Sequence, residues 1–510
     1  MNTSNKLAEP KGSFVARNTL LNIVGQALPL LVGVATIPVI IRNLGEERFG
    51  LLGLIWAILG YFGVLDLGLG RATTKFVAEY LARGDTVRLP QVATLSVASQ
   101  TALGAVGGVA LALLTPLVVD RLLGVPTVLR GEARGALLVV SLSVPFVVLS
   151  LSLRAILEAA QRFDLVTLIR TPTSAAVFLI PAVAARFGAR LPGIVVLLLL
   201  VRISACWVTA ALIPRAIPGF RWTLVPRWQT LRPLLGYGGW VSVSNVVSPL
   251  LVYLERFLLA SLAGVAAVAY YTAPYEAVTR LLIVPAGLAG ALFPALSARG
   301  GGGAGAAGTG ASHERLLGRP LRFLLLALAP LVMLLIVCAA PLIRVWLGPT
   351  YAVRSATAFS ILAAGVLVNG LAHIPYVYLL GHGRPDLPAK FHLFELPLYV
   401  LFGWLLIRAQ GVNGAALAWT LRVTVDAALL GTAVWRVGGV PPGRLLGERS
   451  GRAVSAVAAL AVAATACLAL APDPLTRVVL AVATTAAFAA GVWRFVLDDV
   501  ERAGLRRLLA

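Results

Sequence analysis

The chain has 510 residues, of which 59% are hydrophobic and only 13% charged, and its mean hydropathy is +0.90. That balance excludes a soluble domain and describes an integral membrane protein. The formal net charge of +22 does not point to nucleic acid, because the basic residues are spread thinly over loops between apolar runs. They read as topology determinants and as contacts to anionic lipid headgroups.

About fourteen apolar runs, each long enough to cross a ~30 Å hydrocarbon core, follow one another at 18–41, 49–69, 92–118, 134–154, 164–187, 191–214, 234–261, 266–296, 321–346, 354–380, 388–409, 412–435, 452–472 and 475–496. The first follows a basic tail (Lys6, Lys11, Arg17). It is too long for a signal peptide and lacks a small-residue cleavage site, so it stays as a helix. Loops on the N-terminal side carry 27 Lys and Arg, loops on the other side 11, and five arginines lie inside spans. The asymmetry predicts a multi-pass membrane protein with both termini in the cytoplasm.

A weak parallel repeat runs through the chain. Asn43-Leu44-Gly45 before Phe49-Gly50-Leu51 is matched by Leu262-Ala263-Gly264 before Val268-Ala269-Tyr270, and Gly45 and Gly264 are 219 residues apart. The same spacing pairs Gly68 with Gly287 and Gln26 with Asn245. The expected fold is all-α: two six-helix lobes related by a pseudo-two-fold axis along the membrane normal, plus two C-terminal helices. This gives an N-terminal lobe at 1–214, a cytoplasmic linker at 215–233, a C-terminal lobe at 234–437 and two extra helices with a tail at 438–510. The substrate site is then expected between the lobes. The glycine-rich stretch 299–312 reads as a flexible linker and not as a phosphate-binding loop, since no GK[ST] follows and no strand precedes it.

The intramembrane arginines are Arg170, Arg202, Arg256, Arg280 and Arg422. A guanidinium cannot be neutralised by losing its proton, and at mid-membrane it costs about 2.5–3.5 kcal/mol even on lenient insertion scales. Arg202 lies about eleven residues into its span, ~16 Å deep at 1.5 Å per residue, and Arg280 and Arg422 are similarly deep. Arg170 and Arg256 lie nearer span ends and can snorkel outward. Glu276 and Arg280, and likewise Arg422 and Asp426, are four apart on one helix face. For Arg422 an ion pair and a ligand contact stay equally open. Arg280 is favoured as a cavity residue because the repeat equates its span with the second. Arg202 has no carboxylate within a turn, so its pairing alternative needs a partner from another helix.

The sequences Arg17-Asn18-Thr19-Leu20, Asn43-Leu44-Gly45-Glu46-Glu47-Arg48-Phe49-Gly50 and Asp66-Leu67-Gly68-Leu69-Gly70-Arg71-Ala72 resemble the N-terminal signature of the oligosaccharide flippases, the O-antigen and polysaccharide exporters of the multidrug/oligosaccharidyl-lipid/polysaccharide superfamily. Gly411-Val412-Asn413-Gly414-Ala415-Ala416-Leu417-Ala418-Trp419 is similar to the C-terminal region of the same family. The resemblance implies a non-enzymatic transporter that moves an undecaprenyl-diphosphate-linked oligosaccharide from the inner to the outer leaflet by alternating access, for surface polysaccharide or O-antigen assembly. Its implied partners are the polyprenyl-diphosphate-linked glycan and membrane lipids. The expected state is a monomer, whose protein contacts would be a glycan polymerase or glycosyltransferases. No cofactor, metal or nucleic acid is expected.

Arginine suits such a ligand because its planar fork grips phosphate oxygens in pairs. Arg202 and Arg280 are therefore the foremost diphosphate candidates, followed by Arg422. Arg71, ending the second span, either makes first contact or is an ordinary positive-inside anchor. Tyr275 offers a ring for sugar stacking, whereas Tyr270 and Tyr271 read as interface anchors. Asn22, Gln26 and Asn245 either bind sugar or bridge helices. Without a nucleotide-binding motif, coupling would fall to Glu276, Asp426, Glu395 or Glu255. His373 reads as a satisfied interior histidine, and Cys206, Cys338 and Cys467 as small apolar packers. The last two spans either shelter a lipid tail or add packing surface, the latter being the simpler reading.

A lipid II flippase of the same superfamily shares the cationic cavity and is separated only by the signature segments. A multidrug or cation exporter would need deep carboxylates in the N-terminal lobe, which are absent. A membrane-embedded glycan transferase or ligase would need paired carboxylates or a metal motif on a sizeable loop domain, and no loop is long enough for one.

Overall fold

The structure, a computed structural model, describes residues 28–29, 31–223, 239–300, 310–439, 441, 450–471, 473–499, 501–503 and 506; the side chains of 239–246, 248, 294–295, 297–300, 310–316 and 450 lie outside that description. Asn22 and Gln26, and most of the glycine-rich linker and of the loop at 215–233, fall outside it, as does the side chain of Asn245. The chain forms two compact units, Met1–Pro249 and Leu250–Ala510.

In the first unit, α1 (Leu31–Leu44) turns at Gly45 into α2 (Glu46–Tyr61). Gly45 has φ +79°, a conformation that L side chains rarely adopt, so glycine is what permits so short a turn. A 3-10 turn, Phe62–Asp66, and left-handed Leu67 and Gly68 lead into α3 (Leu69–Ala82). Four long helices follow: α4 (Arg88–Leu117), α5 (Arg130–Ala159), α6 (Phe163–Arg186) and α7 (Leu191–Ala216). Glu132 on α5 ties the predicted outer ends together. It accepts from Arg48 Nε at 3.0 Å and from the Leu191 backbone N–H at 3.0 Å, which places a carboxylate at the positive end of α7. Arg48, part of the signature segment, is thereby used structurally.

The second unit takes in most of α8 (Gly239–Ala263) and continues with α9 (Val265–Thr279), a 3-10 turn at Arg280–Leu282, and α10 (Ile283–Gly300). Then come α11 (Gly310–Val337), α12 (Ala339–Leu347), α13 (Pro349–Gly381) and α14 (Asp386–Gly438). A non-helical Gly411, φ 55° and ψ −122°, breaks α14 in two. The chain closes on the hairpin α15 (Ser450–Leu470) and α16 (Pro474–Gly491). Asp473 caps α16: its carboxylate accepts from the Thr476 N–H at 2.9 Å, and that bond holds it below the usual carboxylate range.

Eleven helices among the described residues are long and apolar enough to span a membrane. Once α14 is divided at Gly411, and α1 and α8 are set against the first and seventh places, the order of the described helices is consistent with fourteen spans. Two details differ. The stretch 71–82, expected as loop, is helical as α3. Gly287, expected to match Gly68, sits inside α10 without the left-handed backbone that Gly68 shows. The other half of the repeat is plain in the backbone: Gly264 has φ +84° beside Gly45 at +79°, and the helix after each turn gives way to a 3-10 turn, at Phe62–Asp66 and at Arg280–Leu282.

Close approach of α4 and α5 depends on Gly104 and Gly108, four apart in the manner of a small-residue helix interface. A Cβ on Gly104 would meet the Pro145 backbone at 2.7 Å, and one on Gly108 would strike the Ser141 carbonyl. Replacing Gly104 by Val should therefore push the helices apart and cost about 1–3 kcal/mol. A lower unfolding temperature in detergent and less monodisperse protein are the expected outcome; unchanged stability would show that the two helices do not need this contact.

Candidate anion-binding site

Cavities within the first unit collect its membrane-embedded cations. One of about 130 Å³ lies among α5, α6 and α7, and Arg154, Arg170 and Arg202 all line it with no carboxylate among the lining residues. A second, of about 460 Å³, is lined by Asp66, Arg71, Thr74, Arg154 and Glu158, and shares Leu151 and Arg154 with the first. Arg71, Arg154, Arg170 and Arg202 thus line two neighbouring cavities that share the Leu151 and Arg154 side chains as walls.

The state of these groups decides what the cavities can do. Arg154 pairs with Glu158 at 3.2 Å, one turn away. Arg170 and Arg202 make no ion pair among the described residues. The hydroxyls of Ser150, Thr173 and Thr209 each donate to a backbone carbonyl of their own helix, and the Cys206 thiol sits 3.5 Å from the Phe146 carbonyl. The charged donors left over in the cavity are guanidinium N–H groups, and the Ser174 hydroxyl stands beside them. In the second cavity Asp66 is already engaged, accepting from the Gly70 N–H at 2.8 Å and from the Gln100 amide at 2.6 Å. An anion with several oxygens is the complementary ligand for such a surface.

The second unit treats its charges in the opposite way. Arg256 is 1% exposed, donates to Glu276 at 3.0 Å and lies over the Tyr275 ring at 4.8 Å. It does not snorkel, contrary to the expectation from its place near a span end, because α9 supplies a carboxylate beside it. The same Glu276 accepts from Arg280 at 2.6 Å, so two arginines share one acid. Arg280, expected as a cavity residue free for ligand, is held by this pair, while a third of its side chain stays exposed. Glu255 is fully buried and accepts from the hydroxyls of Tyr271 at 3.2 Å and Tyr399 at 2.8 Å.

Arg422 meets Glu395 of the first half of α14 at 3.5 Å, so its ion-pair partner here is not the Asp426 that helical spacing suggested. Tyr275 packs against Tyr271 and Trp419. Tyr270 and Tyr271 are buried, which removes them from the interface positions predicted for them. His373 Nδ1 is 2.8 Å from the Asn369 carbonyl and is satisfied within its own helix. The sequence reading missed Arg154 as a site residue. It ended the fourth span at that position, whereas α5 continues to Ala159.

Two units of long apolar helices, with cations lining cavities in the first, fit a flippase-type transporter, and comparison with known proteins places the chain in the multidrug/oligosaccharidyl-lipid/polysaccharide superfamily. The protein carries out transport and not catalysis. Residues 15–299 match the family described as "Polysaccharide biosynthesis protein", and the chain belongs to that family. It is 27% identical over 418 residues to a Shigella flexneri protein named "Putative O-antigen transporter", covering 82% of this chain and 96% of that one. Among solved structures the fold is similar to lipid II flippase MurJ in an inward closed conformation, with TM-score 0.72, 12% identity, and coverage of 95% of this chain and 100% of that one. It is also similar to an inward-facing multidrug resistance MATE family transporter, with TM-score 0.68, 16% identity, and coverage of 83% and 98%.

Truncating Glu276 to Ala should leave Arg256 charged, buried and without its acid, at a cost of about 3–5 kcal/mol. The expected result is a severe loss of folded protein, read as a fall in unfolding temperature. The Arg202→Ala variant should unfold near the wild-type temperature, since no partner is orphaned. Equal stability of the Glu276 variant and wild type would contradict the structural role of this pair.

Proposed function

We propose that the protein moves a polyprenyl-diphosphate-linked oligosaccharide from the inner to the outer leaflet of the cytoplasmic membrane by alternating access, for surface polysaccharide or O-antigen assembly. The observation that carries this reading is Arg202: a guanidinium deep in an apolar helix, facing a cavity with two further arginines and making no ion pair among the described residues. A diphosphate supplies the missing negative charge, and its oxygens accept from the planar forks that Arg154, Arg170 and Arg202 present. Arg71, exposed beside the second cavity, is suited to guide the headgroup inward. Kinship with the Shigella flexneri protein and with the polysaccharide biosynthesis family supports the glycan part of the ligand.

Coupling is assigned to the group around Arg422. Glu395 pairs with Arg422 and also faces the carboxylate of Asp426, and neutrality in hydrocarbon for two acids beside one guanidinium then calls for a proton or a cation. Glu276 is a poorer candidate, being shared by two arginines. Glu255 remains the second choice, held by two tyrosine hydroxyls.

The test is a strain lacking the gene, complemented with Arg202→Ala or Arg202→Lys while protein level is followed. Loss of a charge-assisted phosphate contact worth about 1.5–3 kcal/mol should lower transport about tenfold or more in both variants. The lipid-linked glycan should build up on the inner leaflet at normal protein level. Full transport by a well-expressed alanine variant would reject the diphosphate site. Failure of the glycan to accumulate in the deletion strain would reject the transport reading altogether.

A further inference from the structure

The C-terminal hairpin holds a third cavity, of about 850 Å³, along the groove between α15 and α16. Its walls are Ala456, Ala459, Leu460, Ala463, Ala487 and Phe488, and at one end stand Arg452 and Arg494. The two cations meet because one begins α15 and the other follows the end of its antiparallel partner α16. Neither makes an ion pair among the described residues. The nearby acid Glu501 is spent on Arg319 at 3.5 Å and on Arg322, and Asp499 is spent on Arg502 at 3.1 Å. The groove hydroxyls are engaged as well, Ser455 donating to the Arg452 carbonyl and Thr484 to that of Ala481.

We propose that this groove binds an anionic phospholipid, with its phosphate between Arg452 and Arg494 and an acyl chain along the alanine floor. Basic pockets between transmembrane helices are suited to such headgroups, and the proposal does not depend on the transported substrate. Length selects the occupant. From Arg452 to Ala463 the groove runs about eleven residues, or ~16 Å, close to half of a ~30 Å hydrocarbon core. That suits the acyl chain of one leaflet and is short for a polyprenyl tail. Charge selects the headgroup: with two arginines and no carboxylate in the lining, a zwitterionic lipid finds no partner for its ammonium.

Native mass spectrometry of the full-length protein, loaded in turn with phosphatidylglycerol and with phosphatidylcholine of matched chains, tests this directly. Wild type should retain phosphatidylglycerol selectively. The Arg452→Ala/Arg494→Ala variant should lose about thirtyfold in its retention, at roughly tenfold per 1.4 kcal/mol and about 1 kcal/mol per arginine, with phosphatidylcholine unaffected. Arg452→Lys/Arg494→Lys should keep most of the selectivity, and Ala459→Trp, which fills the floor with both arginines intact, should lower retention of both lipids. These two variants carry the test if the double alanine protein does not accumulate. Equal retention of both lipids by wild type, unchanged selectivity in the alanine variant, or displacement of phosphatidylglycerol by undecaprenyl phosphate would each overturn the proposal.

Discussion

A guanidinium keeps its proton even in hydrocarbon, and that single constraint orders the interior of this protein. Every membrane-embedded arginine must find an acid, reach water or await an anion. In the second unit acids are provided. Glu276 serves Arg256 and Arg280, and Glu395 serves Arg422. In the first unit Arg202 lies as deep in its helix, yet the cavity it faces contains further arginines and no acid. The contrast is one of chemistry as much as of charge. A neutralised network can hold a fold together, while an unneutralised one is a binding surface that stays unsatisfied until its ligand arrives.

The backbone places these groups where they act. Gly45 and Gly264 take left-handed φ values at short turns, and each turn feeds a helix that ends in a 3-10 segment. Interruptions of this kind are common at hinges. One of them begins at Arg280 itself, so a charged network partner sits on the break. The other, Phe62–Asp66, ends at the residue that caps α3 through the Gly70 N–H. In both units a strained or interrupted backbone therefore adjoins a charged cluster, which is where a transporter would convert local charge changes into helix movement.

The span pattern, the loop charges and the signature segments were legible because each depends on residues close together in sequence. Arg202 stood out for the same reason, since the absence of an acid within a helical turn is visible in one strand of text. What escaped was set by contacts between distant residues. Arg256 sits near a span end and looked free to reach the interface, but Glu276, twenty residues on, comes beside it through packing of α8 against α9. Arg422 had a plausible partner one turn away and took Glu395, from the far side of the Gly411 break. Arg154 was lost to a helix end drawn five residues short, which turned a cavity arginine into a loop charge. Tyr270 and Tyr271 carried the composition of an interface and proved to be interior, where Tyr271 serves Glu255.

The central claim is that fixed positive charge in the first unit selects a phosphorylated lipid. The most direct measurement is equilibrium binding of undecaprenol, undecaprenyl phosphate and undecaprenyl diphosphate, all without sugar, to the purified full-length protein in nanodiscs. The account predicts affinity rising with phosphate charge, in the order alcohol, monophosphate, diphosphate, and falling as salt is added. Equal affinity for the uncharged alcohol and the diphosphate would contradict it.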